Sequence, residues 1–171
     1  MQYVEQKGGV GSGVRGHTTW SGKRFNVNTG KKETTSIEYK KSGNKEIDAM
    51  VMKILDDIGE KAISSATWRK DIKITVSGKL IGKWHDRGIW RRRDTIMGMH
   101  KFRSNEITFF SNATRSMFSG KDFKRGIVNV VLHELGHAAT RQDNYADMFG
   151  GEESKANKWG KKYGKKFGFS W

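Results

Sequence analysis

The segment that most constrains this chain is His133-Glu-Leu-Gly-His137, which lies inside the apolar stretch Val130–Ala139. On an α-helix, residues four apart are separated by about 40° around the axis, so the two histidines share one face. The apolar side chains nearby fall on the opposite arc: Val128, Val131, Leu132, Leu135, Ala138 and Ala139. The pattern therefore predicts a helix with one face in the core and two imidazoles facing a cleft.

The same five residues have the spacing of a zinc site. Two imidazoles on one helix face can bind one Zn²⁺, and Glu134 lies on the flank, where it reaches a metal-activated water. The chain contains no cysteine, so every further ligand has to be a histidine or a carboxylate. We therefore expect Zn²⁺ as the cofactor, held in part by His133 and His137.

Val-Val-Leu-His-Glu-Leu-Gly-His-Ala-Ala (130–139) resembles the active-site helix of the zincin metallopeptidases. The resemblance implies a zinc-dependent endopeptidase that hydrolyses peptide bonds in a protein or peptide substrate, with Glu134 as the general base. A further donor should stabilise the oxyanion. Four side chains are candidates for this role: His100, Arg141, Tyr145 and Tyr163.

A catalytic zinc site needs a third protein ligand. In the metzincin branch this ligand lies six residues after the second histidine, where Asp143 stands, but Thr140 occupies the position of the turn glycine. In the gluzincin branch a glutamate on a following helix is the ligand. Glu153-Ser-Lys-Ala-Asn-Lys-Trp-Gly160 resembles that segment in ImmA/IrrE-type and other phage-borne metallopeptidases. Glu153 is thus the preferred ligand, and Asp143 and Glu152 remain alternatives.

Asn157 lies one helical turn after Glu153. Gluzincins keep a carboxylate there that accepts a hydrogen bond from a zinc-bound histidine. An amide oxygen can accept the same bond and fix the orientation of the ring, so we expect Asn157 to support a histidine ligand.

Hydrophobic periodicity predicts the other elements. A helix is expected over about 45–66, strands over 71–77, 95–101 and 105–110, a basic aromatic loop over 78–94, the motif helix from Ser119 to Thr140, and a last helix over 152–167. This order corresponds to an α+β, zincin-like fold, in which a small twisted sheet packs against a backing helix and the motif helix. The resemblance implies that Asn105-Glu106-Ile107-Thr108-Phe109-Phe110 is the edge strand that binds substrate.

Residues 1–44 are rich in glycine and polar side chains, and we expect an N-terminal arm that an assembly partner orders, followed by a metallopeptidase domain over 45–171. Within the arm, Thr18–Trp20 and Arg24–Val27 could form a hairpin around Ser21-Gly22-Lys23. The N-terminus lacks the pattern of a signal peptide, and no apolar run reaches a membrane span. These features favour a protein of the cytoplasm or, if it is phage-encoded, of the host cytoplasm or the virion.

The formal net charge is +15, which favours contact with nucleic acid or another polyanion. Arg91-Arg92-Arg93 with Trp84 and Trp90 could bind phosphates and stack bases, and six lysines (155, 158, 161, 162, 165 and 166) share one face of the last predicted helix. The alternative function is therefore a basic structural, virion or nucleic-acid-associated protein with a zincin-like fold and weak or lost activity.

Overall fold

The computed structural model describes residues 2–6, 16–26, 29–65, 71–87, 90–101, 104–140 and 151–171. The helices are α1 (Lys45–Ser65), α2 (Ser111–Met117), α3 (Phe123–Thr140) and α4 (Gly151–Gly164). The strands are β1 (Gln2–Gln6), β2 (His17–Asn26), β3 (Lys31–Lys40), β4 (Ile72–Ser77), β5 (Ile81–Arg87), β6 (Trp90–Ile96), β7 (Gly98–Lys101) and β8 (Glu106–Phe110). The protein thus has the expected α+β class, and no helix among the described residues could span a membrane.

The main sheet is mixed and has the order β1-β2-β3-β4-β8-β7. The central pairs β3–β4 and β4–β8 are parallel, whereas β7 pairs antiparallel with β8 at one edge. Helices α1 and α3 pack against each other and against strands of this sheet, and α4 packs on α3. Helix α3 therefore lies between the sheet and α4, and most of its residues are buried.

Helix α1 forms where the periodicity predicts it. The side chain of Asn44 caps its first turn by accepting hydrogen bonds from the backbone N–H groups of Glu46 (3.1 Å) and Ile47 (3.2 Å). Of the apolar residues that recur at helical spacing, Met50 is half-buried and the others are buried: Ile47, Val51, Ile54, Leu55, Ile58 and Ala62. They join isoleucines of β3, β4 and β8 in one hydrophobic core.

The expectation of an arm over residues 1–44 is wrong for the strands β2 and β3. Trp20, Ile37 and Tyr39 are fully buried in the core, so this part of the chain packs within the fold. The hairpin expected around Ser21-Gly22-Lys23 is also absent, because β2 runs through these residues and pairs with β3. Gly22 lies within β2, and its lack of a side chain allows Ile63 of α1 to pack closely over the strand. The Ile63 side chain is 3.3 Å from where a Cβ of residue 22 would stand.

Two further expectations for the sheet are corrected. Residues 78–94 are not a loop, since β5 and β6 form a separate antiparallel pair there. The many basic side chains of this segment suggested a loop. A two-stranded ribbon is nevertheless compatible with them, because its strands pair through backbone hydrogen bonds. The strand Asn105–Phe110 is not at an edge: Glu106-Ile107-Thr108-Phe109-Phe110 lies between β4 and β7, and Asn105 precedes it in a turn with a φ of 52°. The edge strand on this side of the sheet is β7, and its pairing with β8 cannot be predicted from local sequence.

The carboxylate of Asp48 ties β3 to the first turn of α1. It accepts hydrogen bonds from the Tyr39 hydroxyl (2.6 Å), the Ser42 N–H (2.8 Å) and hydroxyl (2.7 Å), and the Gly43 N–H (3.0 Å). Burial by itself raises the pKa of Asp48, but these hydrogen bonds outweigh it and the net pKa is lowered. Ionised Asp48 is therefore favoured in the folded state.

Replacing Asp48→Asn should lower the free energy of unfolding at pH 7 by about 1.5–3 kcal/mol, the range for hydrogen bonds to a charged group. Because the pKa is lowered on folding, Asp48 contributes stability above its unfolded pKa, and this contribution is lost as pH falls through the folded pKa. Urea unfolding at pH 7 and below pH 4 measures both effects. Asp57→Asn on the same helix is the matched control, since its 3.1 Å pair with Lys166 is half-exposed. Equal losses for the two variants would contradict the role of Asp48.

Candidate metal centre

Helix α3 brings the two motif histidines together as the spacing predicts. Their Nε2 atoms are 3.0 Å apart, and the ring planes are nearly perpendicular at 89°. Both side chains are about nine-tenths buried, with exposed fractions of 10% for His133 and 11% for His137. The two rings therefore converge on one point instead of facing solvent separately.

The third group comes from α4, which lies close to α3 at Gly136. A Cβ on Gly136 would stand 2.6 Å from the carbonyl oxygen of Ala156 and 2.9 Å from its Cα. Only a glycine permits this approach of two backbones. One turn before Ala156, the Glu153 carboxylate reaches His133 Nε2 at 2.9 Å and His137 Nε2 at 3.3 Å.

These donor atoms fit a tetrahedral zinc ion. Two ligand atoms each 2.0–2.1 Å from a tetrahedral zinc are about 3.3 Å apart. His133 Nε2 and His137 Nε2 are 3.0 Å apart, and each lies near one Glu153 oxygen, at 2.9 Å from Oε2 and 3.3 Å from Oε1 respectively. The two carboxylate distances belong to different oxygens, and one donor atom from each of the three residues lies within 4.8 Å of the other two. His133, His137 and Glu153 are also the group of metal-binding side chains found among the described residues. The geometry is compatible with a metal ion, and the set of two imidazoles and one carboxylate is typical of zinc.

Asn157 fixes the orientation of the His133 ring. Its Oδ1 accepts a hydrogen bond of 2.8 Å from His133 Nδ1, so Nδ1 carries a proton and Nε2 is the atom that faces Glu153 and His137. Burial lowers the pKa of His133, but hydrogen bonds to Glu153 and Asn157 outweigh it, and the net pKa is raised. Hydrogen bonds to His133 and His137 lower the pKa of Glu153. The carboxylate thus stays ionised beside the imidazoles.

Glu134 lies beside this centre and is buried, with 6% of its surface exposed. Strand β7 passes close to it: a Cβ on Gly98 would be 2.7 Å from Glu134 Oε1 and 2.6 Å from a methyl group of Val130. Burial raises the pKa of Glu134 to about 7, although the two histidines act in the opposite direction. A carboxylate with this pKa can both accept and release a proton near neutral pH.

The histidines, Glu134 and Glu153 line a cleft of about 550 Å³. The other described residues of its walls come from β7 and the residues just before it, from α3, from the start of α4 and from the segment after α4: Ile96, Met97, Gly98, Met99, His100, Val130, Glu152 and Trp171. The cleft is therefore bounded on one side by β7 and on another by α3 and α4.

Only some of the other predicted site residues lie in the cleft. Asp143, Arg141 and Tyr145 lie outside the described residues. Glu152 lines the cleft but is not part of the three-residue donor group, and His100 lines the cleft while its ring nitrogen Nε2 donates to Asn105 Oδ1 at 2.8 Å. Tyr163 packs its ring against Trp159 at 4.9 Å and is not among the cleft-lining residues.

Several residues of the cleft were missed by sequence reasoning, among them Gly98 and Trp171. Gly98 is followed by Met99 and His100 in a short strand, and only its tertiary contacts with Val130 and Glu134 show that it faces α3. Trp171 is twelve residues beyond Trp159, and local periodicity gave no sign that it returns to the histidines. A buried asparagine in an apolar helix, Asn129, was the available signal that some later segment must bind α3.

Comparison of the chain with known proteins finds no matching family model, no matching curated protein and no matching solved structure.

Replacing Glu153→Gln should lower zinc affinity by more than the roughly 10–100-fold that follows loss of an outer hydrogen-bonding partner. Glu152→Gln is the matched control, because the neighbouring carboxylate lines the same cleft outside the donor group. Competition with a chromogenic chelator gives the affinities, and zinc content after dialysis gives the stoichiometry. If zinc affinity fell more in Glu152→Gln than in Glu153→Gln, the assignment of Glu153 as the third ligand would be wrong.

Proposed function

We propose that this protein is a zinc-dependent endopeptidase with a zincin-like fold, in which His133, His137 and Glu153 hold the metal. The observation that carries the proposal is the convergence of these three side chains from α3 and α4, with Asn157 bonded to the back of one imidazole. A histidine ligand whose second nitrogen is hydrogen-bonded is the usual arrangement at metal sites. Glu134, immediately after the first histidine, is then placed for proton transfer.

The position of the sheet edge supports a peptide substrate. Strand β7 is at the end of the sheet order, borders the cleft and contacts α3 through Gly98. An extended peptide can add to such an edge by backbone hydrogen bonds, which bind a chain without regard to its sequence. We therefore assign substrate binding to β7, whereas Asn105 and Glu106–Phe110 support it from the interior of the sheet.

The proposed chemistry follows from where the side chains lie. A zinc ion held by the three ligands would supply the Lewis acidity that activates water and polarises the scissile carbonyl. Glu134 accepts a proton from the attacking water as the new C–O bond forms, and donates it to the leaving nitrogen as the C–N bond breaks.

His100 is the described oxyanion candidate that lies in the cleft. Its ring is parallel to that of His137, with centroids 6.4 Å apart, and is held by the bond to Asn105. Asn105 is itself buried and donates from Nδ2 to the backbone oxygen of Asp71 at 3.1 Å. This chain of contacts fixes the imidazole next to the site, but it uses the Nε2–H of His100, so a neutral His100 has no N–H left to donate to an oxyanion.

Replacing Glu134→Gln should reduce cleavage of a denatured protein substrate by about 10²–10⁴-fold, the range for loss of a general acid–base group. Zinc content and the unfolding midpoint should stay unchanged, because Glu134 is outside the donor group. Rates with and without a chelator, normalised to bound zinc, provide the measurement. Near-normal cleavage by the variant, or inactive wild-type protein with a full complement of zinc, would contradict the proposed reaction.

A second candidate function is polyanion binding through the lysine face of the last helix. Lys155, Lys158, Lys161, Lys162, Lys165 and Lys166 are all exposed, whereas Ala156, Trp159 and Gly160 on the other side of the helix are buried. The lysines are separate from the cleft, whose described lining includes no lysine or arginine. A basic structural or nucleic-acid-associated protein would use this surface, together with the β5–β6 hairpin that carries Arg91-Arg92-Arg93.

Replacing Lys158, Lys161 and Lys165 by Gln should weaken DNA binding and reduce its salt slope by about one unit for each lost phosphate contact. Replacing Arg91, Arg92 and Arg93 by Ala tests the hairpin in the same way. Affinities for a short duplex over a salt series give the slopes, and zinc-dependent cleavage should be unaffected. Unchanged slopes in both variants, or no DNA binding at low salt, would exclude this function for the basic surface.

A further inference from the structure

The segment Gly168–Trp171 turns back toward the cleft after α4. A short 3₁₀ turn, Lys165–Phe167, ends at Gly168, which has a φ of 85°. The Gly168 N–H donates to Lys165 O at 3.1 Å, and the Phe169 N–H donates to Gly164 O at 3.2 Å. A left-handed residue at this position reverses the chain, and glycine adopts it without strain.

Two anchors fix the path of this segment. The Phe169 ring lies on Gly160, where an added Cβ would be only 2.5 Å from the ring. Asn129, buried in the middle of α3, accepts a hydrogen bond from the Ser170 N–H at 2.9 Å and donates one to the Ser170 hydroxyl at 3.0 Å. Because a buried amide must be hydrogen-bonded, Asn129 holds Ser170 against α3 one helical turn before His133.

Trp171 consequently lies at the metal centre. Its ring centroid is 5.5 Å from that of His133, with the planes at 74°, and it lines the cleft together with Ile96 and Met97. The side chain is half-buried and packs against the hydrophobic core on one side. Its remaining surface faces the cleft, where an incoming side chain can cover it.

We propose that Trp171, with Ile96 and Met97, forms a subsite for a large apolar side chain of the bound peptide, next to the His133 side of the metal centre. The proposal rests on the proposed peptidase function and names its substrate preference. Covering apolar atoms of an indole and two aliphatic side chains favours ligands with apolar surface of their own. Trp171 is then a specificity-determining residue, and the two anchors at Gly160 and Asn129 keep this wall in place.

The alternative role for Trp171 is to hold the His133 ring by the edge contact between them. The two roles predict different results. If Trp171 forms a wall of a subsite, replacing it changes the ratio of affinities for different peptides. If Trp171 instead supports His133, replacing it changes metal affinity and lowers the affinity for all peptides in proportion.

The test uses N-acetylated, amidated pentapeptides Ala-Ala-Xaa-Ala-Ala with Xaa as Ala, Leu or Phe. Their dissociation constants are measured by calorimetry on zinc-loaded Glu134→Gln protein with Trp171, Trp171→Leu or Trp171→Ala. With Trp171, the Phe peptide should bind about 10–100-fold tighter than the Ala peptide, the range by which apolar pockets discriminate. Trp171→Ala should bring this ratio to within about threefold with zinc content unchanged, and Trp171→Leu should give an intermediate ratio even if the alanine variant is unstable.

Three results would overturn the subsite. The three peptides could bind equally to protein that keeps Trp171, or the ratio of the Phe and Ala affinities could stay unchanged in the Trp171 variants. The third result is that the variants lose zinc and bind all three peptides more weakly by the same factor. The same peptides incubated with protein that keeps Glu134 test the proposed function separately. Selective binding without cleavage would leave the subsite standing and reject the peptidase, whereas cleavage without preference for Phe over Ala would do the reverse.

Discussion

The close contact of α3 and α4 at Gly136 and Ala156 determines whether His133, His137 and Glu153 lie close enough together to hold a metal ion. Two histidines four residues apart on α3 supply two donors, and the third donor is on a helix that must come near enough for a carboxylate to reach both rings. A side chain at position 136 would meet the backbone of Ala156 at 2.6 Å and push α4 away. Glu153 lies one turn before Ala156 and Asn157 directly follows it, so the distances from both side chains to His133 depend on this contact.

The distribution of charge separates two surfaces of the molecule. The chain carries a formal charge of +15, but the described lining of the cleft contains three histidines and three glutamates, and neither lysine nor arginine. A dication in the cleft is therefore favoured by its surroundings, and a polyanion would be attracted to the outer surface instead. The lysine face of α4 and the ligand face of the same helix point in different directions, so one helix can serve both partners.

The parts of this structure that sequence reasoning predicted are those set by local periodicity. The helices α1, α3 and α4 and the pairing of His133 with His137 depend on residues three or four apart within single helices. Glu153 and Asn157, by contrast, were expected beside the histidines only from the resemblance to zincin metallopeptidases. The errors concern contacts between distant segments. The pairing of β8 between β4 and β7, the packing of Trp20 under α1, and the return of Trp171 to His133 are set by tertiary packing, which no short window contains. Helix α2 was also missed, since its seven residues have neither a side-chain cap nor a strong apolar stripe.

The central claim, that His133, His137 and Glu153 bind zinc, is tested most directly by X-ray absorption at the zinc edge on the purified protein. The account predicts one zinc per chain, with two imidazole nitrogens at about 2.0–2.1 Å and oxygen ligands completing a four-coordinate shell. Glu153→Gln should change the oxygen contribution or remove the metal, and Glu152→Gln should leave the spectrum as it was. Protein without zinc after exposure to the metal, or zinc in a shell of six oxygens without imidazole scattering, would contradict the claim.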